Sequence, residues 1–275
     1  MKQLIIPIIL FSLLGLAGCE NMFEKEVPPH NLTDGNLITN ESTAEPVLNG
    51  IYSYLQYSGT FDVLYILDDE YRLNLYESGY RNDFEENQLL TGNYRVEDSY
   101  ILNAWQDAYQ LINAANNFIS IVEELPESAF GENRQTEMLA EAKFLRAFAY
   151  SYLLKHYGYF WDINSEYGVI LRLEPSAMSN NNMARSSVEA CYTQILDDYQ
   201  YAIDYGPDFY SRYRACATTA KAFKAEMLMN RGAEGDYEEA IRLADEVLGS
   251  SEFSMATTYA EIFNSGYDCP ELMFT

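Results

Sequence analysis

Basic side chains are scarce in this 275-residue chain: 17 Lys and Arg stand against 42 Asp and Glu, a formal charge of -25. A surface that negative repels phosphate backbones and anionic headgroups, which argues against nucleic acid as a partner. Histidine is scarcer still. The two present, His30 and His156, lie far apart, so no His-based metal site is expected. The four cysteines contain no CxxC spacing, and with Cys19 set aside the odd remainder makes neither a disulfide framework nor a zinc site. No glycine-rich dinucleotide or phosphate loop, no GxSxG elbow and no HExxH motif occurs. What the chain has in excess is tyrosine, 24 residues against 14 Phe and 2 Trp, within a hydrophobic fraction of 48%. That fraction is enough to bury a core, and tyrosine joins an apolar face to a polar tip, which suits wet recognition surfaces.

The N-terminus reads as an address. Lys2 and the apolar run from Leu4 to Leu14 form a signal peptide over residues 1–18, shorter than the roughly 20 residues a spanning helix needs. Leu16-Ala17-Gly18-Cys19 resembles a bacterial lipobox, which implies cleavage before Cys19 and its acylation. An ordinary secretory signal with an incidental Cys is the alternative. Several acyl chains, at about 0.8 kcal/mol per buried methylene, anchor firmly. Residues 19–41, with Pro28 and Pro29, read as an extended tether, and residues 42–275 as a helical domain.

Within that domain, Ser42-x-x-Glu45 fits a capping box, followed at helical spacing by Ala44, Val47, Leu48, Ile51 and Leu55. The clearest stripe runs from Ile101 through Ala104, Trp105, Ala108, Leu111, Ile112, Ala115, Phe118 and Ile119 to Val122. A third helix is expected from about Glu132 to Tyr157, with Leu139, Ala142, Leu145, Ala149, Tyr152 and Leu153 inward and Gly158 as a left-handed stop. The box Ser186-x-x-Glu189 opens a fourth, with Val188, Cys191, Ile195, Leu196, Ala202 and Ile203 inward, stopped by Gly206-Pro207. A fifth spans about Ala215–Arg231, with Ala222, Ala225, Leu228 and Met229 inward. A sixth starts near Asp236, with Ala240, Ile241, Ala244, Val247 and Leu248 inward. Gly235-Asp236-Tyr237-Glu238-Glu239-Ala240 with Ala244 and Val247 resembles the second half of a tetratricopeptide repeat. The fold class is therefore all-α, a tetratricopeptide-like stack of helical hairpins with long inserted loops. Cys191 and Cys216, on successive helices, either meet in an oxidising compartment or pack as small buried residues.

Two long stretches interrupt the helices, 58–98 and 159–185, and both are rich in aromatics. Asp68-Asp69-Glu70 is either part of a calcium site or a solvated, Arg-paired turn; it lacks the alternating ligands and fixed Gly of a calcium loop. His156 reads as a dipole-favoured residue at a helix C-terminus rather than a base. No catalytic set emerges and no cofactor is implied, so the chain reads as a non-enzyme. Carboxylate pairs for glycoside hydrolysis are not identifiable from spacing alone. Residues 70–83 place rings beside Asp, Asn and Arg, the pairing that neutral sugars need for their C–H faces and hydroxyl rims. Most of the tyrosines are expected to pack over the helical stack.

Taken together, Cys19 and its tether, the run from Glu45 to Tyr52, Leu67-Asp68-Asp69-Glu70, the run Ala140 to Gly158, the run Arg185 to Asp198 and the final helix pair resemble the N-terminal half of the SusD/RagB family of outer-membrane, nutrient-binding lipoproteins. The resemblance implies capture of oligosaccharide, or sometimes peptide, at the cell exterior. It also implies handover to a SusC-like TonB-dependent β-barrel transporter, with the lipid anchor in the outer membrane. The acidic stretch after Cys19 resembles the surface-export signal of Bacteroidetes lipoproteins, or is a solvated tether. By position, the family's ligand face points to Tyr71, Arg72, Tyr76, Tyr80, Arg81 and Asn82. The chain departs from the family after Gly158, where Tyr159-Phe160-Trp161-Asp162 replaces the usual Asp and Pro and adds aromatic surface. Family members run to about twice this length, so the chain reads as a fragment. The alternative function is an envelope scaffold lipoprotein that binds only other proteins.

Overall fold

The computed structural model describes residues 37–57, 95 and 99–275. Ile38–Thr275 cluster as one compact unit. Seven α-helices and no strand occur among the described residues: α1 (Glu41–Tyr57), α2 (Ser99–Glu124), α3 (Arg134–Tyr157), α4 (Val188–Tyr205), α5 (Ala217–Arg231), α6 (Asp236–Leu248) and the short α7 (Tyr259–Asn264). Successive long helices pack on one another, and α1 lies against both α2 and α3.

The predicted stripes set this order. On α2, Ala104, Ala108, Leu111, Ile112, Ala115, Phe118, Ile119 and Val122 are all buried. Alanine at 104, 108 and 115 lets α2 approach its neighbours closely. From Met138 to Leu154 nearly every position of α3 is buried, including Glu141, Arg146 and Ser151. A helix buried all round is the centre of its domain, and α3 touches α1, α2, α4 and α5. Phe144 stands at the hub, edge-on to Tyr199, Phe223 and Phe274 with centroids 5.6, 5.4 and 5.3 Å away.

Several local expectations shift. The first helix starts two residues early, capped by Asn40 where Ser42 was expected, and the Asn40 Oδ1 accepts from the Thr43 amide at 3.2 Å. Ser42 donates its hydroxyl to that same oxygen, and Glu45 turns away to bind arginines, so no Ser42–Glu45 box forms. At α4 the cap is Ser187, accepting from the Ala190 amide at 3.2 Å, one residue past the expected Ser186. At α5 the cap is Cys216. Gly158 ends α3 in an extended conformation, φ -111°, not a left-handed one. Glycine is needed there for space, because a Cβ would sit 2.8 Å from the Leu154 side chain and 3.0 Å from its carbonyl oxygen.

The last hairpin is closed by Gly232 and Gly235 in the left-handed region and tied by Asp236, which accepts from Arg231 and from the Ala233 amide. Here the inward set is narrower than the sequence pattern. Ala240, Leu243 and Val247 are buried, while Ile241 is 62% and Leu248 57% exposed and Ala244 also faces out. On α5, Ala225, Met227 and Leu228 are buried, and Met229 points outward. The reason is position in the stack: α6 packs on α5, and no other long described helix makes comparable contact with its outer face.

Cys191, Cys216 and Cys269 are free and buried. The Cys216 sulfur accepts from the Thr219 amide at 3.4 Å and the Cys191 sulfur from the Val169 amide at 3.3 Å. Burial pushes both of these thiols up, which keeps them unreactive.

Candidate functional site

The segment between α3 and α4 runs about thirty residues with a single 3₁₀ turn, Met178–Asn180, as its regular structure, and its backbone groups still need partners. Tyrosine hydroxyls from the helices supply them. Tyr109 bonds the Ile170 carbonyl at 2.8 Å and accepts from its amide at 3.0 Å. Tyr150 does the same for Arg172 at 2.7 and 2.6 Å. Tyr192 donates to the Phe160 carbonyl, while Tyr157, at the end of α3, donates to the Ile101 carbonyl of α2 and ties those two helices at the base of the segment. Asn116 donates to the carbonyls of Arg172 and Glu174, and Arg185 ties the Gly168 and Tyr157 carbonyls together. Burial pushes the phenols of Tyr109, Tyr150, Tyr157 and Tyr192 well above their ordinary range, so they remain protonated donors.

Anchored in this way, the segment presents three rings to solvent. Tyr159 is 50%, Trp161 67% and Tyr167 61% exposed. The Tyr159 and Trp161 rings stack at 5.1 Å with planes 19° apart, and Tyr167 leans on Tyr159 at 5.3 Å and 47°. Phe160 meets Trp161 edge-on from beneath the same turn. The Tyr159 amide donates to the Tyr167 carbonyl at 2.9 Å, which brings the two arms of the loop together. Asp162, Asn164 and Glu166 are exposed between them. Exposed aromatic rings rimmed by oxygen acceptors suit a neutral polyhydroxylated ring: C–H groups meet the aromatic faces and hydroxyls meet the rim.

A second polar assembly lies inside the fold. Glu141, whose side chain is wholly buried, accepts from Arg214 Nε at 2.6 Å, from the Tyr52 hydroxyl at 2.8 Å and from Arg134 at 3.3 Å. Glu45 pairs with Arg134 at 2.6 Å and Arg214 at 3.1 Å. Burial alone would raise the Glu45 carboxyl. The hydrogen bond and charge of Arg134, with the charge of Arg214, outweigh it and hold that carboxyl below its usual range. A carboxyl depressed in the folded state stabilises the fold above its unfolded pKa and loses that contribution as pH falls through the folded value. Melting temperature is therefore expected to drop on acidification through the carboxylate range, about pH 4, and Glu45→Gln should flatten that part of the profile; parallel melts of the two proteins across pH check it.

His156 sits in the last turn of α3, its Nδ1 donating to the Tyr152 carbonyl at 2.8 Å and its ring stacked on Tyr152 at 4.3 Å. That geometry is structural. Cys19 and the sequence-derived ligand residues Tyr71, Arg72, Tyr76, Tyr80, Arg81 and Asn82 lie outside the described residues, as does Asp68-Asp69-Glu70. Among the described residues no group of three or more His, Cys, Asp or Glu is placed to hold a metal ion, and no helix is long and apolar enough to cross a membrane. The exposed ring cluster was signalled in sequence by the aromatic-rich stretch 159–185 and by the departure after Gly158. Its geometry depends on Tyr167, which the loop brings back from the far arm.

A helical-hairpin stack bearing a long, tyrosine-stitched loop defines the class of protein. The chain belongs to the SusD-like family described as starch-binding associating with outer membrane, whose model matches residues 38–228. A SusD-like protein of Bacteroides ovatus is 25% identical over 96% of this chain and 47% of its own length. SusD-like protein P25 of Formosa agariphila is 23% identical over 96% of this chain and 49% of its own. The chain thus spans about half the length of these relatives. In solved structures, a SusD superfamily protein from Bacteroides fragilis superposes with a TM-score of 0.70 at 25% identity, covering 87% of this chain and 56% of that one.

Proposed function

We propose that the chain captures a neutral oligosaccharide at the cell surface, without catalysis, and hands it to a SusC-like TonB-dependent transporter. A lipid anchor on Cys19 holds it to the outer membrane, facing the exterior. The observation that carries this reading is the exposed ring cluster of Tyr159, Trp161 and Tyr167 on a loop fixed by helix tyrosines. Family membership supports it, since the family is described as starch-binding and associated with the outer membrane. A second ligand surface is assigned to Tyr71, Arg72, Tyr76, Tyr80, Arg81 and Asn82. The chain's charge of -25 and the acidic rim of Asp162 and Glu166 favour uncharged glycans over polyanionic ones.

Calorimetric titration with neutral oligosaccharides tests the reading. The wild type should bind, and Tyr71→Ala, Tyr76→Ala and Tyr80→Ala together should weaken binding without lowering the melting temperature; unchanged affinity would remove that surface from the site. The competing reading, a scaffold that binds only proteins, draws on the outward face of α6, where Tyr237, Ile241 and Leu248 are each more than half exposed. A pull-down from gently solubilised outer membranes separates the two. A large β-barrel in near-equal amount supports handover, and envelope proteins without a barrel support the scaffold.

A further inference from the structure

Arg185 comes just before the Ser187 cap of α4 and reaches back across the segment to the end of α3. Its Nη1 donates to the Tyr157 carbonyl at 2.9 Å and to the Gly168 carbonyl at 2.7 Å. Tyr157 is the last residue of α3, so the first bond satisfies a carbonyl that has no partner within its own helix. The cation also suits the negative end of the helix dipole. The guanidinium lies over the Trp105 ring at 5.9 Å, and Trp105 meets Tyr157 edge-on at 5.1 Å. In a chain with 42 acidic side chains against 17 basic ones, an arginine committed to two carbonyls holds backbone rather than balancing charge.

Those two carbonyls flank the ring cluster. Between them run residues 158–167, which carry Tyr159, Trp161 and Tyr167, so one nitrogen closes the neck of the loop that presents the rings. The far side of the neck depends on it most. Gly168 adjoins Tyr167, and it is glycine for want of space: a Cβ would sit 2.6 Å from the Ser186 carbonyl oxygen and 2.8 Å from the Cys191 sulfur. With no Cβ to restrict it, its two peptide planes must be fixed from outside. The amide donates to the Ser186 carbonyl at 3.0 Å, and the carbonyl accepts from Arg185. Releasing that carbonyl frees the residue that aims Tyr167, while the helices keep their own contacts. Arg185 is itself exposed, so its loss removes little core packing.

We propose that Arg185 is a positioning residue for capture: by clasping the Tyr157 and Gly168 carbonyls it holds Tyr167 against Tyr159 and keeps the Tyr159–Trp161 stack in its binding geometry. The inference deepens the glycan-capture reading and rests on it. The chain has two tryptophans, Trp105 beneath Arg185 and Trp161 in the cluster. The full chain labelled with fluorotryptophan therefore gives two fluorine resonances, assigned with Trp161→Phe. They are read beside the melting temperature and the calorimetric affinity for maltoheptaose, cellohexaose and mannohexaose, in wild type, Arg185→Met and Tyr150→Phe. In Arg185→Met the Trp105 resonance should report the lost guanidinium and the Trp161 resonance should move toward that of the free amino acid. Affinity for a bound probe should fall roughly three- to tenfold, with the melting temperature nearly unchanged. Tyr150→Phe loosens the segment at Arg172 instead, so it should lower the melting temperature and leave the Trp161 resonance in place below the transition. A Trp161 resonance that stays put in Arg185→Met overturns the positioning role and leaves capture standing if the wild type binds a probe. A resonance that moves with affinity unchanged overturns it as well, because capture then does not depend on the clasp. Equal movement in Tyr150→Phe would mean general loosening and no particular role for Arg185. If no probe binds the wild type, the capture reading falls and the positioning role falls with it.

Discussion

Replacing Asp198 with alanine is expected to cost about 3–5 kcal/mol of stability, because it leaves a buried arginine without its counter-charge. Asp198 is 3% exposed and receives Arg146 Nε and Nη2 at 2.8 Å each, a two-pronged pair between α4 and α3. Arg146 Nη1 reaches the Asn116 oxygen on α2 at 2.9 Å, so three helices meet at one guanidinium. At roughly 2–4 °C per kcal/mol for a unit of this size, the melting temperature should fall by about 6–20 °C. The double replacement Arg146→Met with Asp198→Leu should recover most of that loss, since a pair exchanged for apolar groups of similar volume is close to neutral. Calorimetric melts of the two variants decide it; if Asp198→Ala melts with the wild type, the pair contributes nothing and the account of α3 as the charge-tied centre fails. The effect should also travel outward. Asn116 donates to the carbonyls of Arg172 and Glu174, so the same cluster secures the loop that presents Tyr159, Trp161 and Tyr167.

The helices were legible because a buried face repeats at helical period whatever lies opposite it. The α2 stripe and the inward set of α3 needed no partner to be recognised. Periodicity marks which residues share a face and is silent on whether a neighbour covers it, which is why Ile241, Ala244 and Leu248 read as inward and lie outward. Caps slipped by one residue where two candidates adjoin: Ser186 and Ser187 have the same chemistry, and only the backbone turn at 187 selects the second. The tyrosine excess was visible and its division of labour was not. Tyr109 and Tyr150 find their loop partners 61 and 22 positions away, separations that leave no local pattern. Glu45 shows the same limit, since its proper partners, Arg134 and Arg214, become neighbours only when α1 settles on α3. Of the candidate site, the departure after Gly158 pointed to added aromatic surface, and the stacking that turns it into a binding face required the fold.

Trp161→Ala is the change expected to separate recognition from stability most cleanly. A sugar ring laid on the indole removes on the order of 50 Å² from water, about 1.3 kcal/mol at ~25 cal/mol per Å². Face-on contact adds roughly 0.5–1.5 kcal/mol. Affinity for a neutral oligosaccharide should therefore fall about 20- to 100-fold. The fold should barely respond, because an exposed ring with 67% accessibility contributes little packing, and surface changes of this kind stay within about 0.5 kcal/mol. Tyr150→Phe gives the opposite pattern. It deprives both the amide and the carbonyl of Arg172 of their partner, so the melting temperature falls first and affinity follows only as the loop loosens. Ionic strength supplies a third arm. Stacking on a neutral ring is insensitive to salt, so wild-type affinity should be the same at low and high salt. Strong salt dependence would mean that the acidic rim of Asp162 and Glu166, rather than the rings, carries the contact. If Trp161→Ala binds as wild type does, the ring cluster is not the capture surface, and the weight of the proposal shifts to the residues between Tyr71 and Asn82.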